Sequence, residues 1–185
     1  MKITKSKLRQ IIREELSLVE QGGFFDDMLS TGMAAAGELG ATALENLPPE
    51  AAAKMMAAMP MKTLEAKAVE MQPMLKLVIA VLPKEPEVRG RVLRRLLIAV
   101  LRDKSLLTPD LDTQKSAVLA SHIVEAMDAE GAYKDDWLPG VSKAAHKKVF
   151  AKVLAEALQM GRAITLKDVL DKVGEMLPPP VIVNE

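Results

Sequence analysis

The sequence contains no cysteine, and only 3% of its 185 residues are aromatic. The absence of cysteine excludes disulfides, thiolate chemistry and the commonest structural zinc sites. Aromatic residues are scarce while alanine, leucine, methionine and valine are abundant, a mixture that favours packed helices over a β-sheet. No segment shows the sustained alternation of apolar and polar residues that is typical of a half-buried strand. The sequence therefore predicts an all-α fold.

The chain also lacks an excess of either charge and any long apolar run. Its 25 basic and 25 acidic side chains give a net charge of zero, so no overall field draws it to nucleic acid or to an anionic membrane. The apolar runs at 77–82 and 96–101 are far shorter than the roughly 20 residues that cross a bilayer. The first sixteen residues are too highly charged for a signal peptide. We expect a soluble protein that is neither secreted by a signal peptide nor bound to a membrane.

Recognisable motifs for catalysis or cofactor binding are missing as well. The chain has no dinucleotide-binding glycine motif, no P-loop and no Gly-x-Ser-x-Gly turn. His122 and His146 are the only histidines, and neither has a second ligand-type residue three or four positions later beyond an aspartate or glutamate at ordinary surface spacing. We therefore predict no catalytic residue, no metal site, no cofactor and no enzymatic activity. A site assembled from distant polar residues would leave no local signature.

A short amphipathic segment opens the chain, at residues 1–20. Thr4 can cap a helix, and Ile3 can pack on Leu8 as a hydrophobic staple. Gly22 or Gly23 can take the left-handed conformation that closes a helix. A helix of this length is marginal in isolation, so its apolar stripe needs a partner surface, on the body or on another molecule. The predicted docking helix carries Ile3, Leu8, Ile11, Ile12, Leu16 and Val19, and the last five of these form one stripe, which we call the docking stripe.

The rest of the chain divides into three predicted segments. Residues 21–46 form a glycine-containing linker or loose helix, because Gly32, Gly37 and Gly40 each cost about 1 kcal/mol relative to alanine in a helix interior. Residues 47–177 form a helical bundle. Residues 178–185 form an extended tail, because three consecutive prolines open it.

In addition to the N-terminal amphipathic helix, the start and stop signals predict an irregular bundle of about seven or eight helices in the body of the chain. Proline suits the first turn of a helix, so short helices are expected to begin near Pro49, near Pro60 or Thr63, and near Pro73. A long core helix is predicted over 87–104, with an apolar face formed by Val92, Leu93, Leu96, Leu97, Val100 and Leu101.

Three further helices have clear local boundaries. Asp112 or Thr113 can cap a helix that stops at Gly131, and Ser142 can cap one that stops at Gly161. Thr165 with Asp168 resembles a capping box that opens the last helix, which runs to residue 177. Between the first two of these helices, residues 132–140 are predicted to form a loop. Trp137 and Leu138 are expected to fix that loop to the core, although Asp135 and Asp136 could alternatively hold a cation.

Four arginines, Arg91, Arg94, Arg95 and Arg102, lie opposite the apolar face of the long helix. They could contact phosphates or an acidic partner, or they could form an ordinary solvated face. No aromatic side chains for base stacking interleave with them, and the molecule is neutral overall. We therefore favour a protein partner over nucleic acid. The sequence indicates no particular oligomeric state.

The leader, MKITKSKLRQIIREEL, resembles the N-terminal segments of small proteins of marine tailed bacteriophages, which have the form MKITKSxLxxIIxEEL. It is also similar in kind to the capsid-targeting sequences of internal head proteins in myovirus-type phages. That resemblance implies delivery into the prohead, followed by cleavage after Leu-x-Glu or Ile-x-Glu. The candidate cleavage motif is Leu18-Val19-Glu20, directly before Gln21-Gly22-Gly23. The same pattern occurs at residues 12–14, 123–125 and 154–156, the last two inside predicted helices.

A second resemblance is to the encapsulation peptides of bacterial microcompartment cargo, which usually precede a recognisable enzyme. Because no enzyme motif follows here, the phage resemblance is favoured. It implies a non-enzymatic virion or head-associated protein, located in the virion or the host cytoplasm, whose partner is a capsid or shell protein. The alternative is a small regulatory or adaptor protein in which residues 1–20 are an ordinary first helix.

Overall fold

The computed structural model describes residues 41–134, 137 and 140–177. The predicted docking stripe, the cleavage motif at 18–20, most of the predicted linker and the tail at 178–185 lie outside these residues. So do Asp135, Asp136 and Leu138 of the 132–140 loop.

Within the described residues the fold contains seven α-helices and no strand, which confirms the all-α prediction. The described residues also form three short 3-10 helices, at Pro73–Leu77, Ile79–Val81 and Lys104–Leu106. The α-helices are α1 (Ala41–Asn46), α2 (Pro49–Ala58), α3 (Met61–Met71), α4 (Pro86–Arg102), α5 (Thr113–Ala129), α6 (Lys143–Gln159) and α7 (Leu166–Met176). None of these helices combines the length and the apolar character that crossing a membrane requires.

The ends of the three C-terminal helices are determined by local chemistry. The side chains of Asp112, Ser142 and Thr165 each accept a backbone N–H at the start of α5, α6 and α7. Thr165 and Asp168 form the predicted capping box. Gly131 and Gly161 follow α5 and α6 with φ angles of 68° and 62°, the left-handed conformation that favours glycine.

The proline-rich segment follows the prediction at two of its three expected helices. Pro49 lies in the first turn of α2, and Pro60 immediately precedes α3. The segment that begins at Pro73 is instead a 3-10 helix, in which Leu75 and Val78 donate backbone hydrogen bonds to residues three positions earlier. This short element lies between the end of α3 and the Ile79–Val81 turn.

Helix α4 lies in the middle of the fold, packed against α2, α3 and α5, while α5 also packs along α6. All six residues of its predicted apolar face are buried, each at most 5% exposed. Their burial accounts for the position of this helix, because each aliphatic side chain removed from water contributes roughly 1.5–3 kcal/mol.

Helix α1 comprises the last six residues of the segment predicted to be a linker or loose helix. Its Leu44 is fully buried within the same hydrophobic core as the residues of α4. The end of that segment is thus part of the packed core.

Candidate partner-binding groove

The four arginines predicted as a partner face line one open groove of about 820 Å³ between α4 and α5. We call it the arginine groove. Its other charged or titratable lining residues are Asp103, His122, Glu125 and Glu130, and its apolar floor is formed by Ile98, Ala99, Ala126 and Ala129. The structure thus brings the predicted arginines together with acidic groups from the neighbouring helix.

Helical periodicity explains why these side chains share one groove. Arg91, Arg95 and Arg102 are separated by four and seven residues, which places them along one face of α4. On α5, His122 lies three and four positions before Glu125 and Ala126, so these residues also share a face. The groove forms where the two faces meet.

Glu130 bridges two of the arginines across the groove. One carboxylate oxygen lies 3.1 Å from Nε of Arg91, and the other lies 2.9 Å from Nε of Arg95. The Glu130 side chain is only 15% exposed, whereas the two arginine side chains are 48% and 56% exposed. The carboxylate therefore pairs with two cations and leaves one net positive charge, in an arrangement that we call the Glu130 bridge.

The C-terminal end of α5 holds Glu130 in place. Gly131 donates its N–H to the Asp128 carbonyl at 3.1 Å, and Ala132 donates to the Met127 carbonyl at 2.8 Å. This pair of hydrogen bonds around a left-handed glycine is the Schellman motif. Because the motif fixes the backbone immediately after Glu130, it also fixes the position of the Glu130 Cα, from which the side chain extends.

Arg94 has a different environment from the outward-facing one that the sequence suggested. It is half-buried, and its Nε donates a hydrogen bond to the Met56 carbonyl of α2 at 3.1 Å. Its guanidinium also lies beside the buried Gly90. Arg94 therefore contributes to the packing of α4 on α2 as well as to the groove lining.

Arg102 is exposed at the end of α4, and no ion pair joins it to any other described residue. His122 belongs to α5, the other helix that lines the groove, and its Nδ1 lies 3.8 Å from a carboxylate oxygen of Glu125. Within the described ranges, no group of three or more histidine, aspartate or glutamate side chains is arranged to hold a metal ion. The chemistry that the groove offers is binding through charge and a small apolar floor.

Sequence reasoning missed an aromatic cluster beside the 132–140 loop. The Tyr133 hydroxyl hydrogen-bonds with Nδ1 of the buried His146, and Trp137 stacks on Phe150 with ring centroids 5.8 Å apart. Trp137 therefore packs against the core as expected, and His146 helps to hold the loop through Tyr133. The available signal was the concentration of four ring side chains within residues 133–150 of a chain with few aromatics.

A second missed feature is the ion cluster that joins α5 to α6. Lys143 Nζ and Lys147 Nζ lie 2.8 Å and 2.9 Å from the two carboxylate oxygens of Asp128. Hydrogen bonds from Lys143 and then Lys147 hold the pKa of Asp128 below its ordinary value of 3.8. The cluster lies outside the arginine groove, so we assign it to helix packing.

Gln72 is the third missed feature. Its side chain is fully buried, and Nε2 donates to the carbonyl oxygens of Leu106 and Thr108 while Oε1 accepts the Met74 N–H. These bonds tie the 3-10 helix after α3 to the segment that follows α4, next to Asp103 of the groove.

No protein-family model, curated protein or solved structure matches this chain.

Proposed function

We propose that this protein is a non-enzymatic, phage head-associated protein that its N-terminal segment carries to a protein shell, with cleavage after Glu20. The observation that carries the proposal is the position of Leu18-Val19-Glu20 at the end of the amphipathic segment, directly before Gln21-Gly22-Gly23. The leader resembles capsid-targeting sequences of phage head proteins. From this resemblance we take the shell to be a phage capsid and the protease to be the one that cleaves such sequences.

The structure supports this proposal because two of the three other matches to the cleavage pattern lie within packed helices. Ile123 and Val124 of the match at 123–125 are buried within α5, and Leu154 of the match at 154–156 is buried within α6. Proteases cut preferentially at exposed, flexible backbone, so both matches are protected in the folded body. The remaining matches are those of the leader, at 12–14 and 18–20.

The apolar stripe of the leader has the chemistry of a helix that docks in an apolar groove of another protein. Burying five aliphatic side chains contributes several kcal/mol before the cost of ordering the segment. Binding of this strength is weak for a single copy, but many copies of a shell protein make it effective.

The test is incorporation into particles of a variant that carries Leu8→Glu with Ile12→Glu. A matched control carries Gln10→Glu with Ser17→Glu, which adds the same two carboxylates on the side that helical periodicity places opposite the stripe. We expect the first variant to be excluded from particles and the control to be incorporated like the wild type. Equal incorporation of both variants would count against docking through the stripe.

A second candidate function is a regulatory or adaptor protein, and the observation that favours it is the arginine groove. In that case residues 1–20 are an ordinary first helix of the body. The same variant separates the two functions, because two charges in a packed helix would lower the thermal unfolding midpoint of the whole protein. In a delivery segment they would leave that midpoint unchanged.

A further inference from the structure

We infer that the arginine groove binds an acidic α-helix of a protein partner. One carboxylate of that helix takes the position that the Glu130 carboxylate occupies in the free protein. The inference rests on the partner-binding function proposed second, and it adds the chemical class of the partner. It requires neither delivery by the leader nor cleavage after Glu20.

The lining of the groove favours a helix over other peptide conformations. The described part of the chain contains no strand, so it offers no sheet edge that an extended peptide could join. Polyproline segments bind grooves lined by aromatic rings, and none of the described residues that line this groove is a tyrosine, tryptophan or phenylalanine. Its floor instead includes Ala99, Ala126 and Ala129, small side chains that let the axis of a third helix approach α4 and α5 closely.

The Glu130 bridge shows how the groove receives an acidic side chain. One carboxylate contacts the guanidinium groups of Arg91 and Arg95 at the same time, at 3.1 Å and 2.9 Å. Both arginines are about half exposed and can turn toward a partner. Arg102, further along the same face of α4, provides a second contact for a carboxylate one or two turns away on the bound helix.

The charges of the groove also favour a protein over nucleic acid. Asp103, Glu125 and Glu130 line the same space as the arginines and would repel a continuous row of phosphates. A helix with separated charges can place its carboxylates beside the arginines and its basic or neutral residues beside these acids. The groove therefore matches a patterned surface better than a uniform polyanion.

The experiment measures binding of the full-length protein to a fluorescent acidic peptide by anisotropy. The peptide is about 18 residues long so that it holds a helix, with leucine and alanine on one face and flanking glutamates. Three probes are controls: a peptide with lysine in place of each glutamate, an acidic peptide interrupted by proline, and a DNA duplex. We expect saturable binding of the helical acidic peptide, weakened by added salt, and weaker binding of every control.

Two pairs of variants locate the binding site. Arg102→Gln should weaken acidic-peptide binding about two- to fivefold, the effect of losing one exposed charge pair, while Arg162→Gln outside the groove should not. Glu130→Gln should strengthen binding by roughly two- to tenfold because it removes the internal competitor. Glu175→Gln makes the same change of net charge on α7 and should leave binding unchanged.

Three other results would contradict the inference. If the DNA duplex binds more tightly than the acidic peptide and Arg102→Gln weakens it, the groove binds a partner but the inferred class of partner is wrong. If no probe binds, both the inference and the partner-binding function fail. If the acidic peptide binds but the groove variants behave like their matched controls, it binds elsewhere and the inference is overturned.

Discussion

Replacing Gln72 by alanine removes a side chain that joins two segments distant in sequence. Leu106 is fully buried, so its carbonyl oxygen would lose the Gln72 amide with no water to replace it. An orphaned buried acceptor costs about 1–3 kcal/mol. The Thr108 carbonyl and the Met74 N–H are only partly buried, so water compensates for most of what they lose.

The cavity left by the missing amide adds to this cost, and the total is about 3 kcal/mol of unfolding free energy. For a protein of this size that corresponds to a thermal midpoint lower by roughly 6–12 °C. Gln114→Ala is the matched control, because Gln114 is exposed near the start of α5 and its loss should change stability by less than about 0.5 kcal/mol.

The assay is urea and thermal unfolding of both variants, followed by circular dichroism at 222 nm. A third variant, Gln72→Glu, keeps the acceptor for Met74 but places a carboxylate against two carbonyl oxygens. Burial raises the pKa of that carboxyl in the folded state, so its destabilisation is greatest at neutral pH and declines as the pH falls through that raised value. If Gln72→Ala and Gln114→Ala have the same unfolding free energy, the structural role assigned to Gln72 is wrong.

Three other substitutions test separate parts of the fold. Gly131→Ala should destabilise the protein by about 1–2 kcal/mol in urea unfolding, because residue 131 has a φ of 68°. Gly90→Ala should raise stability by about 0.5–1 kcal/mol, because the added methyl meets Arg94 and Met61 at an ordinary 3.6 Å and helix propensity improves; a loss of stability would contradict this packing. Asp128→Asn should reduce stability near neutral pH. Because the pKa of folded Asp128 is depressed, its stabilising effect is present above about pH 3.8 and is lost as the pH falls through the lower folded value, so wild type and Asp128→Asn should converge in acid.

Much of the fold could be predicted from the sequence because the helix ends are encoded locally. Asp112, Ser142 and Thr165 each satisfy a backbone N–H within three residues, and Gly131 and Gly161 supply the left-handed conformation after the helix. The apolar face of α4 follows from spacing alone, because every third or fourth residue returns to the same side. These signals do not depend on the rest of the structure.

The groove could be predicted only in part, because its geometry depends on contacts between distant residues. Spacing placed Arg91 and Arg95 on one face, but Glu130 is 39 and 35 positions away from them and carries no local sign of pairing. The Arg94 contact with a backbone carbonyl of α2 is also invisible in a pattern of side chains. The 3-10 conformation after Pro73 was missed because proline begins either kind of helix.

The central claim is that the leader delivers the protein to a shell and is then removed. Mass spectrometry of the protein recovered from assembled particles tests it most directly. We predict a mature chain that begins at Gln21, with no peptide from residues 1–20 in mature particles and an intact leader in protein that has not been packaged. A chain that begins at Met1 in mature particles would contradict cleavage after Glu20 and would favour residues 1–20 as an ordinary first helix.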